Sequence, residues 1–101
     1  MDHSDSQDKL MSRQDVENLI NEARRVTEDL LKVSSDDHRL QHVSKKLGEI
    51  AERIQAEWPV REPKKVTDHI GLFAVRELEG VHDKLATMLE HIEYYIEHPN
   101  R

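Results

Sequence analysis

The fold is decided by VENLINEARRVTEDLLKV, residues 16–33, in which apolar side chains recur with the period of a helix that packs against other helices. Their spacing alternates between three and four residues, which defines a heptad seam. The seam consists of Val16, Leu19, Ala23, Val26, Leu30 and Val33. Ser12 stands before this stretch and Asp15 three positions later, as in a helix N-cap with a capping box. We therefore predict a first helix that begins after Ser12 and ends at Val33.

A second helix of the same period follows after a short turn. The Ser34-Ser35 pair interrupts the first seam and offers a cap, and Asp36 and Asp37 follow where a helix N-terminus favours negative charge. The second seam consists of Leu40, Val43, Leu47, Ile50 and Ile54. This helix is expected to stop at Trp58, because Pro59 disfavours helical geometry in the residue before it. Two helices joined by so short a turn should be antiparallel neighbours.

The third apolar stretch is the longest. We expect its helix to start between Pro63 and the Thr67-Asp68 pair and to end near His98. Its seam consists of Leu78, Val81, Leu85, Met88, Ile92 and Tyr95. At ~1.5 Å per residue, such a helix is roughly 15 Å longer than the other two, so its surplus turns need a cover. We predict an all-α, antiparallel three-helix bundle whose long C-terminal helix self-associates into a homodimer. The alternative is four helices, with a break at Gly71 or near Gly80.

Composition limits the class of protein. A chain of 101 residues fits one domain, which we assign to residues 12–98, after an acidic tail at residues 1–11 that we expect to be disordered. The net charge of −6 argues against binding to nucleic acid by phosphate neutralisation. The absence of cysteine excludes disulfides and thiolate catalysis. With no secretory signal and no apolar run of membrane-spanning length, we expect a cytoplasmic protein without a membrane partner.

Histidines are the candidates for a metal site or a phosphate relay. His38 and His42 have a spacing that suits a metal, but no glutamate completes a His-Glu-x-x-His pattern, and we expect no metal and no cofactor. HVSKKLG, residues 42–48, resembles in part the motif of histidine phosphotransfer domains, in which lysine follows the histidine at the third position and glycine comes next. Lys45 matches, and Lys46 replaces the glycine. The resemblance implies a phosphate-accepting His42, so a histidine-based phosphorelay or metal-binding protein is one alternative function.

Two further histidines flank the seam of the third helix. His91 and His98 share a face of that helix but are about 10 Å apart along it, too far to hold one metal ion. If the helix pairs with a second copy, these side chains would make association depend on pH between about 5 and 8. They are therefore predicted to form a pH-sensitive seam.

The stretch HIGLFAV, residues 69–75, is apolar on nearly every side of a helix, whereas a helix on a bundle surface shows one apolar stripe. Either Trp58 or a second protein chain must cover part of it, since exposed apolar patches are typical of interaction sites. Gly71 would let that partner's backbone approach closely. The predicted partner-binding residues are Ile70, Leu72, Phe73, Val75 and Trp58.

The sequence favours binding over catalysis, because it has no glycine-rich phosphate loop and nothing that fixes a nucleophile against a base. We predict a non-enzymatic protein–protein interaction module. An adaptor, a secretion or assembly chaperone, an immunity protein and an inhibitor all fit this description. An acidic stripe on the third helix, expected to be solvated, leaves a second alternative, an acidic mimic that inhibits a nucleic-acid-binding protein. The stripe consists of Glu79, Asp83, Glu90, Glu93 and Glu97.

Overall fold

The computed structural model describes residues 12–99, and every regular element within them is a helix. The elements are α1 (Arg13–Val33), α2 (His38–Ala56), α3 (Pro63–Thr67), α4 (Ile70–Glu77) and α5 (Asp83–Glu97). The predicted all-α class is confirmed. The tail predicted at residues 1–11 lies outside the described residues. No helix among residues 12–99 combines the length and the apolar character needed to cross a membrane.

Side-chain caps fix the starts of the two long helices. The Ser12 Oγ accepts a hydrogen bond from the Asp15 backbone N–H at 3.2 Å, and the Asp15 carboxylate accepts one from the Ser12 N–H at 3.2 Å. At α2, the Asp37 carboxylate accepts from the N–H groups of Arg39 and Leu40 at 2.9 and 3.3 Å. Each such cap stabilises its helix by about 1 kcal/mol. The predicted start of α1 after Ser12 is confirmed, whereas the cap of α2 is Asp37 and not the predicted Ser34-Ser35 pair.

The core is built mainly by α1, α2 and α5. All five predicted seam residues of α2 are fully buried, whereas the buried stripe of α1 departs from its predicted seam. The buried residues of α1 are Val16, Ile20, Ala23 and Thr27. Because α1 packs against α2 on one side and α5 on the other, its buried face lies between the two contacts and not along one heptad seam. The hydroxyl of Thr27 is satisfied within the helix, since it donates to the Ala23 carbonyl at 2.7 Å.

The favoured continuous third helix is wrong. Asp68 and His69 have φ angles of 50° and 59°, and Gly80 has a φ of 89°, so the chain leaves helical geometry at two places. The second place agrees with the alternative of a break near Gly80. The chain folds back there, and α4 packs antiparallel on α5. Since the surplus turns are covered within the chain, the length argument for a homodimer is lost, and self-association stays a prediction.

Candidate protein-binding surface

The candidate surface lies on α4 and on the adjoining face of α5. Leu72 and Val75 of α4 and Tyr94 of α5 are large side chains that are 47%, 46% and 57% exposed. All three line one groove of about 360 Å³, which we call the α4–α5 groove. Its other lining residues are Gly71, Glu90, Glu93 and Glu97. Exposed apolar surface gathered at a groove is typical of protein interaction sites.

The five predicted partner-binding residues are divided between surface and core. Leu72 and Val75 are exposed, while Phe73 and Trp58 are half-buried against the core. Ile70 is only 1% exposed, so its predicted contact with a partner must be corrected to a core role. The physical reason is that α4 lies against both α2 and α5, which bury the faces opposite Leu72 and Val75. Partner binding by the other four residues stays a prediction.

Sequence reasoning missed Tyr94. A signal for it exists in the adjacent pair Tyr94-Tyr95, because consecutive residues on a helix point about 100° apart and only one of them can face the core. Tyr95 is half-buried against the core, which leaves Tyr94 at the surface. Two neighbouring rings contact the Tyr94 ring, with ring centroids 5.4 Å away for Tyr95 and 4.5 Å away for His98.

Glu93 joins α5 to the first turn of α4. The backbone N–H of Gly71 donates to Glu93 Oε1 at 2.6 Å. Within the described residues, His69 makes no side-chain cap to α4, so the Glu93 carboxylate supplies an acceptor that the helix start otherwise lacks. A Cβ added to Gly71 would lie 2.9 Å from Glu93 Oε1. The close approach that Gly71 permits is therefore to α5 of the same chain, which corrects the predicted approach of a partner's backbone.

A second carboxylate holds the segment before α4. Glu97 Oε2 accepts a hydrogen bond at 3.2 Å from the hydroxyl of Thr67, which is fully buried. With Glu93, this makes two members of the predicted acidic stripe that bind neighbouring elements. The expectation of a fully solvated stripe is wrong for these two half-buried side chains. The α4–α5 groove is acidic partly because the fold uses carboxylates to fasten α3 and α4 to α5.

Glu90 carries a charge that the fold does not neutralise. Desolvation on its half-buried helix face raises the pKa of Glu90, the neighbouring Glu79 carboxyl raises it further, and His91 lowers it in part. None of the ion pairs within residues 12–99 involves the four glutamates beside the groove, Glu79, Glu90, Glu93 and Glu97. Among residues 12–99, the groove therefore presents negative charge that no lysine or arginine pairs with.

A second groove, of about 240 Å³, lies on the other side of α4 and shares Leu72. Here the His42 ring stacks on Phe73 with centroids 4.7 Å apart. Lys46, which replaces the glycine of the phosphotransfer motif, lies one helical turn from His42 and binds Asp68 at 2.9 Å. Among residues 12–99, no three histidine or carboxylate side chains are grouped so as to hold a metal ion.

The two histidines of the predicted pH-sensitive seam are both exposed, His91 on α5 and His98 directly after its last residue. His91 contacts Tyr95 with ring centroids 6.2 Å apart, and His98 contacts Tyr94. Their position leaves them accessible to a second protein chain. A role at a subunit seam stays a prediction.

Comparison with known proteins gives the class. The chain matches the Tsi6 family over residues 15–98, which includes nearly all of the helical domain. The family consists of immunity-type proteins of type VI secretion, which are generally non-enzymatic and bind another protein, a toxin. This chain belongs to the Tsi6 family. Searches of curated proteins and of solved structures found no match. The predicted non-enzymatic interaction module agrees with this class.

Proposed function

We propose that this protein neutralises a toxic protein by binding it through the α4–α5 groove. The family supports the class of partner, and the exposure of Leu72, Val75 and Tyr94 at one groove is the observation that carries the choice of surface. Burying an exposed side chain of this size stabilises a complex by up to about 1.5–3 kcal/mol. Three such side chains at one site are enough for the centre of a protein interface.

Neutralisation by binding predicts a simple stoichiometry. A module without catalytic chemistry protects only while each toxin molecule is occupied, so inhibition of a purified toxin should end at one equivalent of this protein. Turnover, seen as protection at far lower ratios, would contradict the proposal. We place the encounter in the cytoplasm, and fractionation of the producing cells tests that placement.

The direct test is co-expression with each protein encoded beside this chain's gene. A toxin among them arrests growth when expressed alone, and this chain should restore growth. Leu72→Asp and Val75→Asp should abolish protection, because each would bury a charge at the centre of the interface. The matched control is Val33→Asp, since Val33 is 86% exposed and lies at the end of α1, outside the groove.

The outcomes distinguish an error in the proposed binding surface from an error in the proposed immunity function. If the groove variants fold and protect as well as the Val33 variant does, then the toxin binds elsewhere. If the unaltered chain relieves none of the growth arrests, then the immunity function itself is wrong. Circular dichroism and a melting temperature for each variant distinguish lost binding from lost folding.

A second candidate function is the acidic inhibitor of a nucleic-acid-binding protein. The uncompensated glutamates beside the α4–α5 groove favour it. It predicts that Glu90→Gln destroys partner binding while Leu72→Asp has a small effect. The apolar interface that we propose predicts the larger loss for Leu72→Asp.

Self-association is proposed through the exposed face of α5. Tyr94 and His91 are exposed on this helix, and the exposed His98 directly follows its last residue. Light scattering would give twice the chain mass of 11.9 kDa for a homodimer. A mass that changes between about pH 5.5 and 7.5 would implicate the two histidines. Because a second copy and a toxin would compete for Tyr94, the complex with the toxin should contain one copy of this chain and not two.

A further inference from the structure

The α4–α5 groove has apolar walls and an acidic rim. Leu72 and Val75 form the wall on α4, and the exposed ring of Tyr94 forms part of the wall on α5. Glu90 and Glu97 stand at the same groove. A side chain that suits such a groove has an apolar stem and a positively charged end.

The carboxylates of this rim are not equally engaged. Glu93 accepts from Gly71, and Glu97 accepts from Thr67, whereas Glu90 faces the carboxyl of Glu79. A cation placed beside Glu90 would remove this repulsion between like charges. The free groove is therefore electrostatically complementary to a positive group, and Glu90 is the residue that gains most from one.

We propose that the α4–α5 groove receives a basic side chain of the toxin, arginine in preference to lysine. The inference rests on the proposed function, because it names the chemistry of the toxin residue at that same surface. The aliphatic stem packs on Leu72 and Val75, and the charge lies against Glu90. Arginine fits better because its planar guanidinium stacks on the Tyr94 ring and also binds a carboxylate through two parallel hydrogen bonds.

The first test uses a small probe and needs no toxin. Nα-acetyl-arginine amide is titrated into the labelled protein, with Nα-acetyl-glutamine amide as the uncharged control probe. We expect saturable NMR shift changes at the Gly71 N–H and the Tyr94 ring with the arginine probe, and much smaller ones with the glutamine probe. Glu90→Gln should weaken the arginine probe about fivefold, while Glu52→Gln, a change to an exposed carboxylate of α2, should leave it unchanged. Equal shifts with both probes, or none at the groove, overturn the proposal.

The second test uses the toxin identified by co-expression. Glu90→Lys should weaken toxin binding more than tenfold, since it puts a like charge against the inserted side chain. Changing the matching basic residue of the toxin to glutamate should restore binding to Glu90→Lys. The same change at any other basic residue of the toxin should not restore it. If Glu90→Lys binds the toxin as tightly as the unaltered chain while Leu72→Asp does not bind it, then the groove does not receive a basic side chain. The proposed immunity function would still stand. If no toxin is neutralised, the proposed function fails, and the probe titration alone decides the chemistry of the groove.

Discussion

The backbone N–H of Gly71 lies 2.6 Å from Glu93 Oε1, and this hydrogen bond ties the first turn of α4 to α5. The hydrogen bond depends on both residues, on the missing side chain of Gly71 and on the carboxylate of Glu93. A side chain at position 71 would displace the carboxylate, and without the carboxylate the N–H loses its acceptor. The α4 wall of the groove is therefore positioned from α5.

A double-mutant cycle on this pair should show strong coupling. Glu93→Ala should destabilise the fold by about 1.5–3 kcal/mol, as expected for a lost hydrogen bond to a charged group. Gly71→Ala should destabilise the fold by about 0.5–2 kcal/mol, because a gain of about 1 kcal/mol in helix propensity offsets only part of the lost bond. In the double variant the two losses of stability should not add. Urea denaturation of the two single variants and the double variant measures the three free energies. Additive free energies would show that the hydrogen bond contributes little.

Two glycines should respond to alanine with opposite signs. Gly80 has a φ of 89°, so Gly80→Ala should cost about 1–2 kcal/mol from backbone strain alone. Gly48 lies inside α2, and an added Cβ meets no atom of the described residues within 4 Å. Gly48→Ala should therefore stabilise the fold by about 0.5–1 kcal/mol through helix propensity. Chemical denaturation of both variants checks this, and stabilisation by Gly80→Ala would mean that the bend between α4 and α5 is wrong.

The Lys46–Asp68 ion pair should stabilise the fold over a defined pH range. Lys46 lowers the pKa of Asp68, and Asp68 raises the pKa of Lys46. Because the pKa of Asp68 is lowered, its contribution to stability is present above the ordinary carboxyl pKa and is lost in acid. Because the pKa of Lys46 is raised, its contribution is present below the ordinary lysine pKa and is lost in strong base. Lys46→Met keeps the half-buried stem and should lower the melting temperature by about 2 °C between roughly pH 5 and 9, and by less at pH 2.5.

Salt provides the control for this pair. Because the Asp68 side chain is 59% exposed, the difference between Lys46→Met and the unaltered chain should shrink in 1 M NaCl. A difference of the same size in high salt, or at pH 2.5, would mean that the methionine acts through packing and not through the lost charge.

Glu90 should show the opposite dependence on pH. Desolvation and the neighbouring Glu79 raise the pKa of Glu90, so its ionisation opposes folding, and stability falls as pH rises past the ordinary carboxyl range. Glu90→Gln should therefore raise the melting temperature by about 2 °C at pH 7.5 and have little effect at pH 3.5. Thermal melts at both values test this. If Glu90→Gln instead lowers the melting temperature at pH 7.5, then the Glu90 carboxylate makes a stabilising contact and its ionisation does not oppose folding.

The first half of the fold was predictable because its signals are local. The Ser12 cap and the seam of α2 depend on residues near each other in sequence, and both are as predicted. The break after Thr67 was not predictable, because Asp68 and His69 adopt a left-handed conformation that their residue types only weakly favour. Gly80 did carry a signal for the second break.

The candidate surface was predictable only in part. The apolar character of residues 69–75 correctly required more than one neighbour. The pattern could not say that both neighbours, α2 and α5, belong to the same chain, since long-range packing decides this. As a result Ile70 was assigned to the surface, and Tyr94, which comes from another helix, was missed.

The contacts of Glu93 and Glu97 also set an order of events during synthesis. In a chain that has been synthesised only as far as residue 84, all residues of α1 and α2 are present, but the acceptors that hold Gly71 and Thr67 have yet to be made. The α4–α5 groove is therefore absent from every nascent chain shorter than about this length. The groove is complete only after the synthesis of α5, however early the first two helices fold.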